Sequence, residues 1–146
     1  MIACVQRCSR AEVRVAERAV GSIGAGLLVL LGVEKGDDEA RADALAERLL
    51  GLRIFEDGDG KMNRSAREVG AELLIVSQFT LVARLDRGRR PSFDHAAPAE
   101  RARALVERLV DCVRASGLRV ATGAFGARMA VELVNDGPVT FLLEER

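Results

Sequence analysis

The chain has 146 residues, 49 % of them apolar and 30 % charged, which is the mix of one compact globular domain with its own core and not of a disordered segment. Its 22 basic and 22 acidic side chains cancel. That balance excludes a binder acting through bulk positive charge and leaves only a local patch for nucleic-acid contact.

Met1 to Ser9, followed by Glu12 to Ala16 with its alternating Val13 and Val15, reads as an antiparallel pair of strands. Cys4 and Cys8 fall on one face of the first; with Cys112 they form an odd set without C-x-x-C spacing. They read as small core residues in a reducing compartment, and neither a disulfide scaffold nor a metal site is expected. Arg7 and Arg10 break up any signal-like apolar core. Gly21, Gly24 and Gly26 punctuate a turn, and Leu27 to Leu31 is a continuous apolar run, the mark of a strand covered on both faces. The apolar stretch from Gly24 to Val33 is ten residues, too short to span a bilayer. A cytoplasmic protein without membrane contact is expected.

Asp37 caps a helix whose apolar positions Ala42, Leu45, Ala46, Leu49 and Leu52 recur at helical spacing, with Asp38 and Glu39 in its acidic first turn. Arg53 to Phe55 reads as a short strand before the polar turn Asp57-Gly58-Asp59-Gly60, and Glu72 to Leu81 as a second buried strand. From Arg84 to Pro98, four arginines with Gly88 and Pro91 predict an irregular surface loop. Pro98 opens a second amphipathic helix, with Ala102, Leu105, Val106, Leu109 and Val113 inward and Gly117 closing it. Met129 to Val134 and Val139 to Leu143 are strands joined at Asn135-Asp136-Gly137-Pro138. These elements predict an α+β fold over residues 1–146: one domain of curved, barrel-like antiparallel or mixed sheets flanked by two main helices.

Most catalytic inventories come up empty. His95 is the only histidine, and Ser92 is its only nearby hydroxyl, which is thin support for a triad. Asp57 and Asp59 resemble the start of a calcium loop without its helical frame or its final acidic ligand, so a plain turn is the better reading. Gly21-Ser22-Ile23-Gly24-Ala25-Gly26 is spaced G-x-x-G-x-G and leads into a strand, whereas phosphate loops lead into a helix N-terminus. Two segments stand out. Ser77-Gln78-Phe79-Thr80-Leu81 sets polar groups at the end of a buried strand, where their desolvation is costly. Asn135-Asp136-Gly137-Pro138-Val139-Thr140 puts a Gly-Pro pair, able to be cis at modest cost, at a corner between strands. A satisfied strand end and a tight hairpin explain the same residues equally well.

Those two segments, in that order, resemble the D-aminoacyl-tRNA deacylase family. The similarity extends through Val5-Gln6-Arg7, Gly26 to Val33, Leu52-Arg53-Ile54-Phe55 and Gly60-Lys61-Met62-Asn63. Arg90-Pro91-Ser92-Phe93 and Phe125-Gly126-Ala127 complete it. The resemblance implies a cytoplasmic homodimer, with active sites at the interface, that hydrolyses D-aminoacyl-tRNA and mischarged glycyl-tRNA. Its partner would be tRNA rather than DNA, and no cofactor is implied. Ser77, Gln78, Phe79 and Thr80 would receive the terminal adenosine. Gly137 and Pro138 of the other subunit, joined by a cis bond, would exclude L side chains with their carbonyls. Arg7 would hold that corner, and Asn135, Val139, Thr140 and Met129 would support the site. Arg87, Arg89 and Arg90 would contact the tRNA. Backbone amides near Phe79 and Thr80, aided by the substrate's 2′-hydroxyl, fit the missing triad; Thr80 as an acylated nucleophile is the alternative. The chain departs from the family at Val82 to Leu85, Ala124 and Arg128, which bear on rim contacts to the acceptor stem. Two other readings are a deacylase of relaxed chirality acting on L-alanyl-tRNA, which would carry a trans corner, and a non-catalytic RNA-binding module.

Overall fold

The computed structural model describes residues 1–86 and 88–146. The first fourteen-residue stretch is one strand, β1 (Ile2–Val15), and not the expected pair. Ser9 and Arg10 are exposed polar residues where the register against the last strand shifts, and the chain runs on through them without reversing. The reversal comes at Ala16 and Glu17, both at positive φ (46° and 66°), the two-residue geometry that matches strand twist. Strand β2 (Arg18–Ile23) therefore pairs with the second half of β1, and β3 (Gly26–Gly32) with its first half.

β3 continues in parallel into β6 (Glu72–Ser77) and that into β7 (Val120–Thr122), and the long β8 (Ala130–Glu144) runs antiparallel along β1. A parallel neighbour needs a crossover. The one between β3 and β6 carries α1 (Glu39–Gly51), the separate hairpin of β4 (Phe55–Glu56) with β5 (Met62–Arg64), and the single-turn α2 (Ala66–Val69). The one between β6 and β7 carries α3 (Ala99–Ala115). β7 returns beside β2, where a Cβ on Gly21 would lie 2.3 Å from the Thr122 carbonyl oxygen, so the sheet is nearly closed into a barrel. At Gly26 a Cβ would come 1.8 Å from the Glu72 carbonyl oxygen. These glycines serve close backbone approach; the turn itself is Gly24-Ala25.

The apolar run of β3 is buried on both faces, as its composition predicts. Leu27, Val29 and Leu31 meet Leu45, Leu49, Leu105 and Leu109 of the helices, whereas Leu28 joins Cys8, Val13, Leu74 and Val76 inside the barrel. Each fully buried leucine of that layer contributes about 2 kcal/mol from burial. The first helix is capped by Asp38, whose side chain accepts from Arg41 N, and not by Asp37. Asp37 is buried and occupied elsewhere: it accepts from the amino group of Met1 at 2.7 Å and from Glu34 N at 2.7 Å. Among the described residues, no helix is long and apolar enough to cross a membrane.

Candidate active site

The strand that was expected to reach Leu81 ends at Ser77. Gln78 N still donates to Leu31 O at 2.8 Å, but its backbone (φ −143°, ψ 82°) leaves the strand and starts a 3-10 turn over Phe79–Val82. Gly32 makes room for that turn, since a Cβ there would meet Leu81 Cβ and Val82 Cγ1 at 3.1 Å. The opening residues of a helical turn have no acceptor behind them. Among the described residues, the Phe79 and Thr80 amides accordingly donate to nothing. Gln78 Nε2 donates to Thr80 Oγ1 at 2.5 Å.

This turn lies at the edge of a cavity of about 430 Å³ lined by Ser77, Gln78 and Phe79, by Phe125 and Ala127, and by Met129. Ala99 and Ala102 of α3 form a wall of small side chains. Phe125 is held from outside by the Arg103 guanidinium, 4.6 Å from its ring centre, and Met129 Sδ accepts from Ala124 N at 3.3 Å. Four of the expected site residues thus share one apolar concavity: Ser77, Gln78, Phe79 and Met129. Thr80 is exposed beside it, outside its lining.

The second group gathers elsewhere. Opposite β1, the register jumps from Gln6↔Thr140 to Cys8↔Asn135, so β8 spends five residues where β1 spends two. The surplus bulges out around Asp136, Gly137 and Pro138, facing Arg7, which makes one strand of what the pattern read as two. The Gly137–Pro138 bond is cis. Gly137 sits at φ 153°, and a Cβ there would meet Val139 N at 2.7 Å. The Asn135 side chain ties the base of the bulge: its Oδ1 accepts from Val139 N at 2.7 Å, and its Nδ2 donates to Val139 O at 3.2 Å and Thr140 Oγ1 at 3.0 Å.

Arg7, only 7 % exposed, fixes the tip. Its Nε donates to Asp136 O at 2.9 Å and its Nη1 to Ile54 O at 2.7 Å, with Glu56 and Asp136 carboxylates 3.8 and 3.9 Å away. A buried guanidinium satisfied by backbone carbonyls is a stable arrangement. The β4–β5 hairpin is therefore tied to the corner through the Ile54 carbonyl, which side-chain patterns do not reveal. Gly137 and Pro138 are exposed and do not line their own chain's cavity.

Arg89 and Arg90 stand exposed on the loop after the 3-10 turn, and Arg87 lies outside the described residues. His95 is exposed, and Ser92 Oγ donates to Asp94 Oδ2 at 2.9 Å and not to His95. Asp57 accepts from Asp59 N at 2.8 Å and Lys61 N at 3.0 Å, a plain Asx turn whose amides hold its carboxyl below the usual carboxylate range. Sequence reasoning missed Ala99, Ala102 and Phe93. The first two are unremarkable helix residues. Phe93, whose ring centre is 4.9 Å from that of Phe79, was visible only as part of Arg90-Pro91-Ser92-Phe93.

The chain is similar to several known proteins. The D-aminoacyl-tRNA deacylase of Pelobacter propionicus is 59 % identical over 99 % of both chains. That of Geobacter sulfurreducens is 57 % identical over all of this chain and 96 % of the relative. A solved structure described as c-Myc DNA Unwinding Element Binding Protein superposes with a TM-score of 0.94 at 37 % identity, covering 100 % of this chain and 99 % of the other. A second, titled as a structural analysis of a probable eukaryotic D-amino acid tRNA deacylase, has a TM-score of 0.83 at 20 % identity over 97 % of each chain and shares the fold. Residues 4–144 match the family described as D-Tyr-tRNA(Tyr) deacylase, and the chain belongs to that family.

Proposed function

We propose that two copies of this chain assemble so that the Gly137-Pro138 corner of each enters the other's Ser77–Thr80 cavity, and that the composite site hydrolyses the ester joining a D-amino acid or glycine to tRNA. Water adds across the ester; the acyl carbon–ribose oxygen bond breaks, releasing free tRNA and the amino acid. Such an ester is already activated, so a base–nucleophile pair is not required. The unsatisfied amides of Phe79 and Thr80 supply donors for the developing oxyanion, and the neighbouring ribose hydroxyl assists the water.

The observation that carries this reading is the exposed bulge at Asp136–Pro138, held by a buried arginine through main-chain carbonyls and absent from its own chain's cavity. A filter made of backbone atoms acts by exclusion. An L side chain would collide with it, a D side chain would point away, and glycine would pass. The assembly has a candidate face: among the described residues β8 pairs only with β1, and it exposes Val131, Val134, Phe141 and Leu142. The exposed Arg89 and Arg90 supply backbone contacts for the acceptor end.

The test compares hydrolysis of D-Tyr-tRNA, L-Tyr-tRNA and Gly-tRNA by the purified protein. Fast release from the D and glycyl substrates with L-Tyr-tRNA untouched is the expected result. Equal rates on D and L substrates would refute the filter, and binding without hydrolysis would refute the enzyme.

A further inference from the structure

Pro91-Ser92-Phe93 has no part in the reading above, yet it is tied to the site. The loop that follows the 3-10 turn closes on itself: Arg84 N donates to Ser92 O at 2.9 Å and Ser92 N to Arg84 O at 3.0 Å. Immediately after that bridge the chain turns. Ser92 Oγ bonds Asp94, and Ala96 N donates to Phe93 O at 2.9 Å. The turn carries the Phe93 ring back onto Phe79, with centroids 4.9 Å apart and planes inclined at 56°, within the range of favourable aromatic pairs. Phe79 and Phe93 are thus packed on one another, with Arg84 and Ser92 bridged beside them.

Both rings are exposed, Phe79 by 58 % and Phe93 by 38 %, so core burial does not account for the pair. Phe79 lines the cavity and Phe93 does not, so Phe93 reaches the site only through Phe79. Phe79 is otherwise lightly held. Its amide has no acceptor among the described residues, and the turn behind it rests on 3.2 Å bonds from Leu81 N to Gln78 O and from Ala83 N to Thr80 O. We propose that Phe93 is a positioning residue for the deacylation: its ring pins Phe79, and with it the first turn of the 3-10 segment, at the mouth of the cavity. This rests on the reading that the Ser77–Thr80 segment takes the ester end of the substrate.

The test measures kcat and KM separately for D-Tyr-tRNA, together with the melting temperature, in Phe93→Ala, Phe93→Leu, Phe93→Tyr, Phe79→Ala and the double Phe79→Ala/Phe93→Ala. Phe93→Ala should lower kcat by about two- to tenfold, the size of one aromatic pair, at unchanged KM and with the melting temperature lowered by at most about 6 °C. Phe93→Tyr should restore kcat and Phe93→Leu should not, because the contact needs a ring. The double variant should be no slower than Phe79→Ala, since Phe93 acts only through that side chain. Wild-type kcat in Phe93→Ala beside a slow Phe79→Ala would overturn the inference alone. So would a leucine variant as fast as the tyrosine one, or losses that multiply in the double. Wild-type kcat in Phe79→Ala would overturn the underlying reading of the segment as well.

Discussion

In the proposed shared site, Thr80 and Arg7 would serve in different ways. Thr80 Oγ1 accepts from Gln78 Nε2, and among the described residues no imidazole or carboxylate bonds to it, so nothing activates it as a nucleophile. Thr80→Ala removes one neutral hydrogen bond, worth about 1 kcal/mol, and should keep D-Tyr-tRNA hydrolysis within about tenfold. A loss of several orders of magnitude in a folded variant would establish the acyl-enzyme route instead. Arg7 acts by geometry: a planar fork reaches Asp136 O and Ile54 O together, which a lysine ammonium cannot reproduce. Both Arg7→Lys and Arg7→Ala should therefore loosen the corner, and the D-to-L rate ratio should fall by about tenfold or more, the worth of one charge-assisted hydrogen bond. A ratio unchanged in either variant would show that the corner stands without its brace.

At the scale of elements, the barrel depends on strands approaching closer than side chains permit. Gly26→Ala would drive a methyl group into the Glu72 carbonyl at the head of the β3–β6 pairing. The variant should lose about 3 kcal/mol or more, read as a lower urea midpoint at constant slope. An unchanged midpoint would mean the two strands can part freely. This role of glycine also marks what the sequence could convey. Periodicity located both main helices and the doubly buried β3, because those patterns are set by one residue's neighbours in the same element. It misplaced the first turn, since Ala16 and Glu17 reverse the chain without glycine or asparagine. It split β8, since pairing with β1 carries one strand through a corner that reads locally as a break. It assigned the helix cap to Asp37, because the competing claim of the Met1 amino group comes from 36 residues away. Of the candidate site residues, Ser77 and Gln78 were legible as polar groups ending an apolar run, and Phe79 as their neighbour in the same segment. The alanine wall of α3 and the Ile54 carbonyl were not, because neither carries a chemical signature.

For the whole molecule, the acceptor end of a tRNA would meet a neutral protein through a local patch. Arg89→Ala/Arg90→Ala should weaken tRNA binding and reduce the slope of log affinity against log salt by about 1.5 to 2, whereas the D-to-L ratio should not change. Unaltered affinity and slope would mean that the loop is merely solvated. The central claim is that each site is shared, with the cavity from one copy and the corner from the other. Two variants separate those halves. Gly137→Ala spoils the corner, because a Cβ there meets Val139 N, and Ala102→Trp fills the cavity. Ala102→Trp alone should be inactive, and Gly137→Ala alone should hydrolyse D- and L-Tyr-tRNA alike, because the corner acts by exclusion. After the two are mixed, unfolded together and refolded, a mixed dimer would contain one site built from an intact cavity and an intact corner. Half of the dimers should be mixed with one such filtered site each, and a quarter should be Gly137→Ala homodimers with two unfiltered sites. L-Tyr-tRNA hydrolysis should therefore fall to about a quarter of the Gly137→Ala level, and D-Tyr-tRNA hydrolysis only to about half. Equal falls in the two rates, with mixed dimers present by mass, would contradict a shared site.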